Sequence, residues 1–168
     1  MTEAQKPEGP VEIMLAPIEL DYLSSAGQSA SRFLRAIAQG KLLGQRCPVD
    51  GRVYFPTRGS CPQHAVVIDG EPVELSDRGT LVTYSIVRVP SQNIPLALPY
   101  IAAQVKLDGA DTVLMHLLSC KLEDVHMGMR VKAVWKPREE WTTSISNILY
   151  FEPSGEPDAP YESYKENI

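Results

Sequence analysis

Hydrophobic and polar positions change their rhythm once along this chain, near residue 78. Before that point one helical stripe stands out. In "SASRFLRAIAQG" the apolar residues Phe33, Leu34, Ile37 and Ala38 recur at i, i+1, i+4 and i+5. That spacing predicts a helix from about Ser31 to Ala38 with one apolar face. Ser29 or Ser31 can cap its start, and Gly40 can end it. After residue 78 the period becomes two. In "YIAAQVKLDG", Ile101, Ala103, Val105 and Leu107 alternate with Gln104, Lys106 and Asp108. In "MRVKAVWK", Met129, Val131, Ala133 and Trp135 alternate with Arg130, Lys132 and Lys136. "GTLVTYSIVRV", "TVLMHLLSC" and "SISNILYFE" complete five strand-like runs, separated by the prolines from Pro90 to Pro99, by Asp108-Gly109 and by the turn around Gly128. Short antiparallel strands so closely spaced predict a small closed barrel of the five-stranded OB type. The proline-rich connection "VPSQNIPLALPY" then lies at one barrel mouth.

The expected architecture is mainly β. An extended arm covers residues 1–28, a helix and a knuckle-bearing module 29–76, the barrel 77–152 and an acidic tail 153–168. At 168 residues the chain is long enough for one real core with a small appended module. No apolar run approaches the ~20 residues that span a bilayer, and the acidic, proline-broken N-terminal stretch does not read as a secretory signal. A cytosolic protein is expected. Charge adds one refinement. Residues 1–30 and 152–168 each carry five acids and one base, so the middle is net +3 against −5 for the whole chain. Acidic tails around a mildly basic body argue against a nucleic-acid binder, which needs a dense basic face.

The chemistry concentrates in "QRCPVDGRVYFPTRGSCPQH", residues 45–64. A C-P-x-C-G knuckle aims two thiolates at one ion through a tight turn. Here Cys47 and Asp50 occupy the ligand positions of a first knuckle, followed by Gly51. Cys61 and His64 occupy those of a second, with Ala65 where glycine would stand. The spacing suits a tetrahedral site of Cys47, Asp50, Cys61 and His64. A carboxylate is an unusual ligand in such a set, and the site should hold metal more weakly than four cysteines and release it in acid. Two readings stand: a zinc-loaded ribbon, or a ribbon shape without its ion, in which Asp50 caps a turn and His64 faces solvent.

The order of parts, helix, "LLGQRCPVDGRVYFPTRGSCPQH", "GTLVTYSIVRVP", "PYIAAQVKLDGADTVLMHLL" and "EDVHMGMRVKAVW", resembles a family of small proteins with a rubredoxin-like zinc ribbon joined to a C-terminal OB fold. The resemblance covers roughly residues 30–152. Asp50 and His64 depart from it, since relatives commonly have cysteine there. It implies an accessory subunit of acyl-CoA enzymes. Such relatives pair with thiolases of the sterol-carrier type, with aldolases that cleave steroid side chains, with archaeal thiolase and hydroxymethylglutaryl-CoA synthase, or with enoyl-CoA hydratases. The partner supplies the catalytic nucleophile, and the small subunit shapes the CoA or acyl site. A two-plus-two hetero-oligomer on a dimeric thiolase-like core fits this picture. Apolar residues of the arm, with Tyr161 and Tyr164 of the tail, are then expected to order on the partner. Arg52, Arg58 and Arg88 are candidates for contacting CoA phosphates, against the plainer reading of solvated arginines.

Other side chains carry less. His116 reads as a barrel-face residue, His126 as a turn residue and Cys120 as a small apolar one. Tyr84, Tyr100, Trp135 and Trp141 form either a stacking surface or part of the core. No phosphate-binding, dinucleotide-binding or nucleophile-elbow motif occurs. Besides the accessory subunit, two function classes remain from sequence: a nucleic-acid-binding OB and ribbon module, and a metal-dependent hydrolase built on Cys47, Cys61 and His64.

Overall fold

The structure, a computed structural model, describes residues 20–21, 23–91 and 94–168. Most of the arm expected over 1–28, including its apolar residues up to residue 19, lies outside them. The helix α1 runs from Gly27–Ile37 and so begins inside the expected arm. Neither serine caps it. Ser31 sits one turn in and donates back to the Gly27 carbonyl, a bond that competes with capping. The Ser29 carbonyl accepts from the Thr57 hydroxyl instead. Gly40 does close the helix, donating to the Ile37 carbonyl.

Three short strands follow: β1 (Leu42–Arg46), β2 (Val53–Tyr54) and β3 (Val73–Leu75). They pair in the order β2-β1-β3. Then come β4 (Arg78–Val87), β5 (Tyr100–Leu107), β6 (Val113–Leu118), β7 (Arg130–Trp135) and β8 (Ile148–Pro153). They close a barrel in the order β4-β5-β6-β8-β7, the five-stranded OB arrangement expected from the alternation. Along β5 every second residue, Ile101, Ala103, Val105 and Leu107, is buried. In β4 the adjacent Leu81 and Val82 are both fully buried. A bulge between Leu81 and Thr83 breaks the alternation there and bends the strand around the barrel.

Helix, ribbon and barrel share one core. Phe33 and Ile37 of α1 pack with Val53 and Phe55 of the ribbon and with Leu81, Val131 and Phe151 of the barrel. Phe33 meets Phe55 edge-on at 5.4 Å. The ribbon is also stitched to the barrel beyond the end of β5. Val53 N–H donates to the Asp111 carboxylate, and Phe55 N–H to the Thr112 hydroxyl. Gly79 sits where β4 crosses β5, and a Cβ there would overlap the Lys106 carbonyl. Gly79→Ala should therefore push the two strands apart and cost about 2–3 kcal/mol, read as a lower urea midpoint with an unchanged slope.

The tail corrects one expectation. Residues 154–168 lie back on their own barrel. Ser154 and Ala159 N–H groups donate to the carbonyls of Arg130 and Gly128. Tyr164 is 6 % exposed, its hydroxyl against Gly128. Tyr164 therefore orders on this chain, because Gly128 leaves room for its ring, while Tyr161 stays exposed. Glu156 pairs with Arg78 and Arg130, and Asp158 with His126. The Asp124 carbonyl and the Asp158 carboxylate hold the His126 imidazole above the usual histidine range. The hydrogen bond from Arg130 holds the Glu156 carboxyl below its ordinary value. A raised histidine contributes stability in full below its unfolded value and loses it as pH rises through the folded one. A depressed carboxylate contributes above its unfolded value and loses it as pH falls through the folded one. The tail should thus be held most firmly at mildly acidic pH, and proteolysis within it should quicken on either side. His126→Gln should flatten only the alkaline limb.

Candidate metal centre and the barrel face beside it

Two matching turns build the centre. After β1, Cys47 N–H donates to the Arg52 carbonyl and Gly51 N–H to the Cys47 carbonyl. In the second turn Cys61 N–H donates to Val66 and Ala65 N–H to Cys61. The fifth residue of each is left-handed: Gly51 at φ 75° and Ala65 at φ 52°. Glycine adopts this freely, whereas alanine pays about 1–2 kcal/mol. The second turn keeps the knuckle's shape without its glycine.

The turns bring Cys47, Cys61 and His64 together, with their donor atoms within 4.8 Å of one another. His64 Nδ1 lies 3.5 Å from Cys47 Sγ and 3.4 Å from Cys61 Sγ. A tetrahedral zinc with ordinary zinc–sulfur and zinc–nitrogen lengths needs about 3.5 Å between such donors. The three residues present fit the ion. Asp50 stands at the edge of the group. One carboxylate oxygen accepts from the Arg52 N–H at 3.0 Å, capping the first turn, and the other is 3.9 Å from His64 Nδ1. With its amide turned to satisfy its neighbours, Gln63 also donates to Asp50 at 3.3 Å.

Both sulfurs are buried. Burial pushes the Cys47 thiol up, against the pull of the Asp50 and Val49 N–H groups. Burial works on Cys61 in the same direction, but hydrogen bonds from the Tyr54 hydroxyl, the His64 and Gln63 N–H groups and the His64 ring outweigh it and bring the thiol to about 6. Tyr54 is the residue that sequence reading missed. Its hydroxyl is 3.3 Å from Cys61 Sγ and is pushed up to about 12, chiefly by that bond. Its only signal was a tyrosine in the two-residue strand facing the second knuckle.

The three arginines are not brought together. Arg58 lies over the Tyr54 ring, 4.8 Å from its centroid. The Arg52 backbone N–H donates to the Asp50 carboxylate. Both belong to the ribbon, which docks beyond the end of β5. Arg88 is exposed just past β4, where Val87 pairs with Tyr100 at the start of β5.

A second feature lies on the barrel. Two adjoining clefts of about 530 and 440 Å³ share Leu96, Tyr100 and Leu117. They cover the β5–β6 face between the 88–99 loop and the 136–147 connection. OB folds take ligands on this face. Lys136 is the one Lys, Arg, Asp or Glu lining the larger cleft. The remaining lining is largely apolar, with Met115 68 % and Leu149 41 % exposed. His116 turns inward against Phe151 at 5.7 Å, and burial lowers its imidazole from the usual value. Cys120 is half-buried in the smaller cleft. Among the expected aromatics, Tyr100 alone lines the clefts. Tyr84, Trp135 and Trp141 are tied down by hydrogen bonds to Val125, Asp77 and Lys136.

Fold and site define a rubredoxin-like zinc ribbon carried on an OB barrel. The comparisons agree. The rubredoxin-like zinc ribbon domain of ChsH2 matches residues 35–63, and the C-terminal OB-fold domain of ChsH2 matches residues 72–136. A DUF35 domain-containing scaffold protein of Methanocaldococcus jannaschii is 36% identical over 99 residues, 59% of this chain and 70% of that protein. Its counterpart in Methanothermobacter thermautotrophicus is 30% identical over 100 residues, 59% of this chain and 75% of that protein. The solved Ltp2-ChsH2(DUF35) aldolase shares the fold, with a TM-score of 0.59 and 23% identity over 79% of this chain and 99% of that one. The chain belongs to the DUF35 family.

Proposed function

We propose that this chain is the small, non-catalytic subunit of an acyl-CoA-processing complex and that its partner is a thiolase-like aldolase or a thiolase. The observation that carries this reading is the exposed apolar surface on the ligand face of the barrel. A nucleic-acid-binding OB fold presents a basic groove with stacking aromatics there. The larger cleft on this face instead offers Met115, Leu149, Ile94 and Leu96 around a single lysine, the composition of a protein interface core. Family membership supports it, since the relatives described above are named scaffold proteins, and so does the fold shared with an aldolase assembly.

In this reading the partner holds the reacting groups. Arg52 and Arg58 of the ribbon, and Arg88 past the far end of β4, are the residues we assign to contact the partner's CoA phosphates. Zinc, when bound, ties the two knuckles together; Cys47, Cys61 and His64 would hold it, with Asp50 the nearest fourth group. Steroid side-chain breakdown is the process we assign, in a cytosolic two-plus-two hetero-oligomer. Among the described residues no helix is long and apolar enough to cross a membrane.

The test is co-expression with the thiolase-like enzymes of the same host. Light scattering should show a hetero-oligomer, and acyl-CoA turnover should require both chains. Two species that elute separately, with turnover indifferent to this chain, would contradict the reading.

A further inference from the structure

The closed barrel has one weak seam. β6 pairs with β5 from Val113 to Leu118 but meets β8 at a single position, Leu118 against Phe151. Beside it, Ser119 N–H donates to the Phe151 carbonyl. Strand alternation then turns the backbone of Leu117, Met115 and Val113 toward the seam as well. The Leu118–Phe151 bridge engages the Leu117 carbonyl through the Phe151 N–H, and β8 offers Met115 and Val113 no ladder partner. The Leu117 N–H is occupied by its own neighbour, the His116 ring, at 2.9 Å. The larger cleft runs along this open edge. Met115 and Leu117 line it from β6, Ile148 and Leu149 from β8, and Ile94 and Leu96 from the loop.

Resting on the partner-subunit reading above, we infer that an extended segment of the partner enzyme adds to the barrel along the open edge of β6. Such a segment would carry apolar side chains at alternate positions and an acidic residue where it passes Lys136. Three observations select this occupant. An unpaired strand edge is a template for another strand, and a peptide backbone satisfies it where an acyl chain has no donors or acceptors to offer. The cleft is bordered along β6 by the consecutive residues Met115, His116 and Leu117, a run of strand that a second strand can follow. Its one lining lysine forms no ion pair among the described residues, which complements an acidic side chain.

Amide exchange tests this on the unaltered chain, alone and in complex with its host enzyme. The Val113 and Met115 amides should exchange quickly in the isolated chain and about tenfold or more slowly in the complex, as new strand hydrogen bonds demand. Met115→Pro removes a seam-facing N–H while leaving the β5 side intact, a placement proline tolerates on an edge. It should weaken association about tenfold, whereas Met115→Ala should cost only about threefold. A complex in which those amides exchange as in the free chain would overturn the inference and leave the partner reading standing. So would a folded Met115→Pro chain that binds as the parent does, or amides already protected in the isolated chain. Should Met115→Pro not fold, the exchange result decides. If no acyl-CoA enzyme of the host binds at all, the partner reading falls and this inference with it.

Discussion

Cys61→Ser should purify without zinc and melt on the order of 10 °C lower than the parent chain. Three features put this change among the largest. Cys61 is buried, and its sulfur receives hydrogen bonds from both Tyr54 and the second knuckle. It lies 3.4 Å from His64, so it anchors the three-donor group. It also belongs to the small satellite core of Cys47, Tyr54 and Ile68, which has little else to hold it. Asp50→Ala should behave differently. Its carboxylate is 3.9 Å from His64 and already engaged with Arg52. That variant should keep its zinc, with a weaker hold on it. Metal analysis beside a melting curve checks both. Zinc absent from the parent as well, with the two chains melting alike, would mean the ribbon is held by packing alone.

The second large effect concerns the barrel face. Leu96→Asp with Leu149→Asp should leave the melting temperature within a degree or two, because both residues are substantially exposed. Association with the partner enzyme should fall about a hundredfold or more. Truncating a single interface anchor costs about 2 kcal/mol or more, and here two charges would have to be buried against apolar surface. Titration calorimetry against the parent chain measures this directly. Unchanged affinity would move the interface elsewhere on the molecule.

The barrel was legible because its strands face a core on one side only. Ile101, Ala103, Val105 and Leu107 alternate in sequence and are the residues buried in β5. β8 departs from that alternation: its buried residues Ile148 and Phe151 are three apart, across a register shift against β7, and Ile145–Asn147 ahead of it is a short 3-10 turn and not strand. The ribbon strands were not legible as strands. β2 is two residues long, too short for any period. The knuckles were readable from spacing alone, and the structure brings three of the four expected ligands together. It leaves Asp50 at the edge, because a short carboxylate next to a turn is captured first by the nearest backbone N–H. The tail was expected to order on the partner through Tyr161 and Tyr164. Tyr164 orders on its own barrel instead, where Glu156 and Asp158 meet Arg78, Arg130 and His126, residues distant in sequence that only the closed barrel brings near. The open edge of β6 was invisible because a missing ladder leaves no mark on the side chains.

The central claim is that this chain works as part of an acyl-CoA enzyme complex. Its most direct measurement is affinity capture of the tagged chain from its own host, with mass spectrometry of the eluate and zinc analysis of the same sample. The account predicts a thiolase-like acyl-CoA enzyme in near-equal amount, with zinc in the eluate. Recovery of the chain alone, or together with nucleic acid, would contradict it.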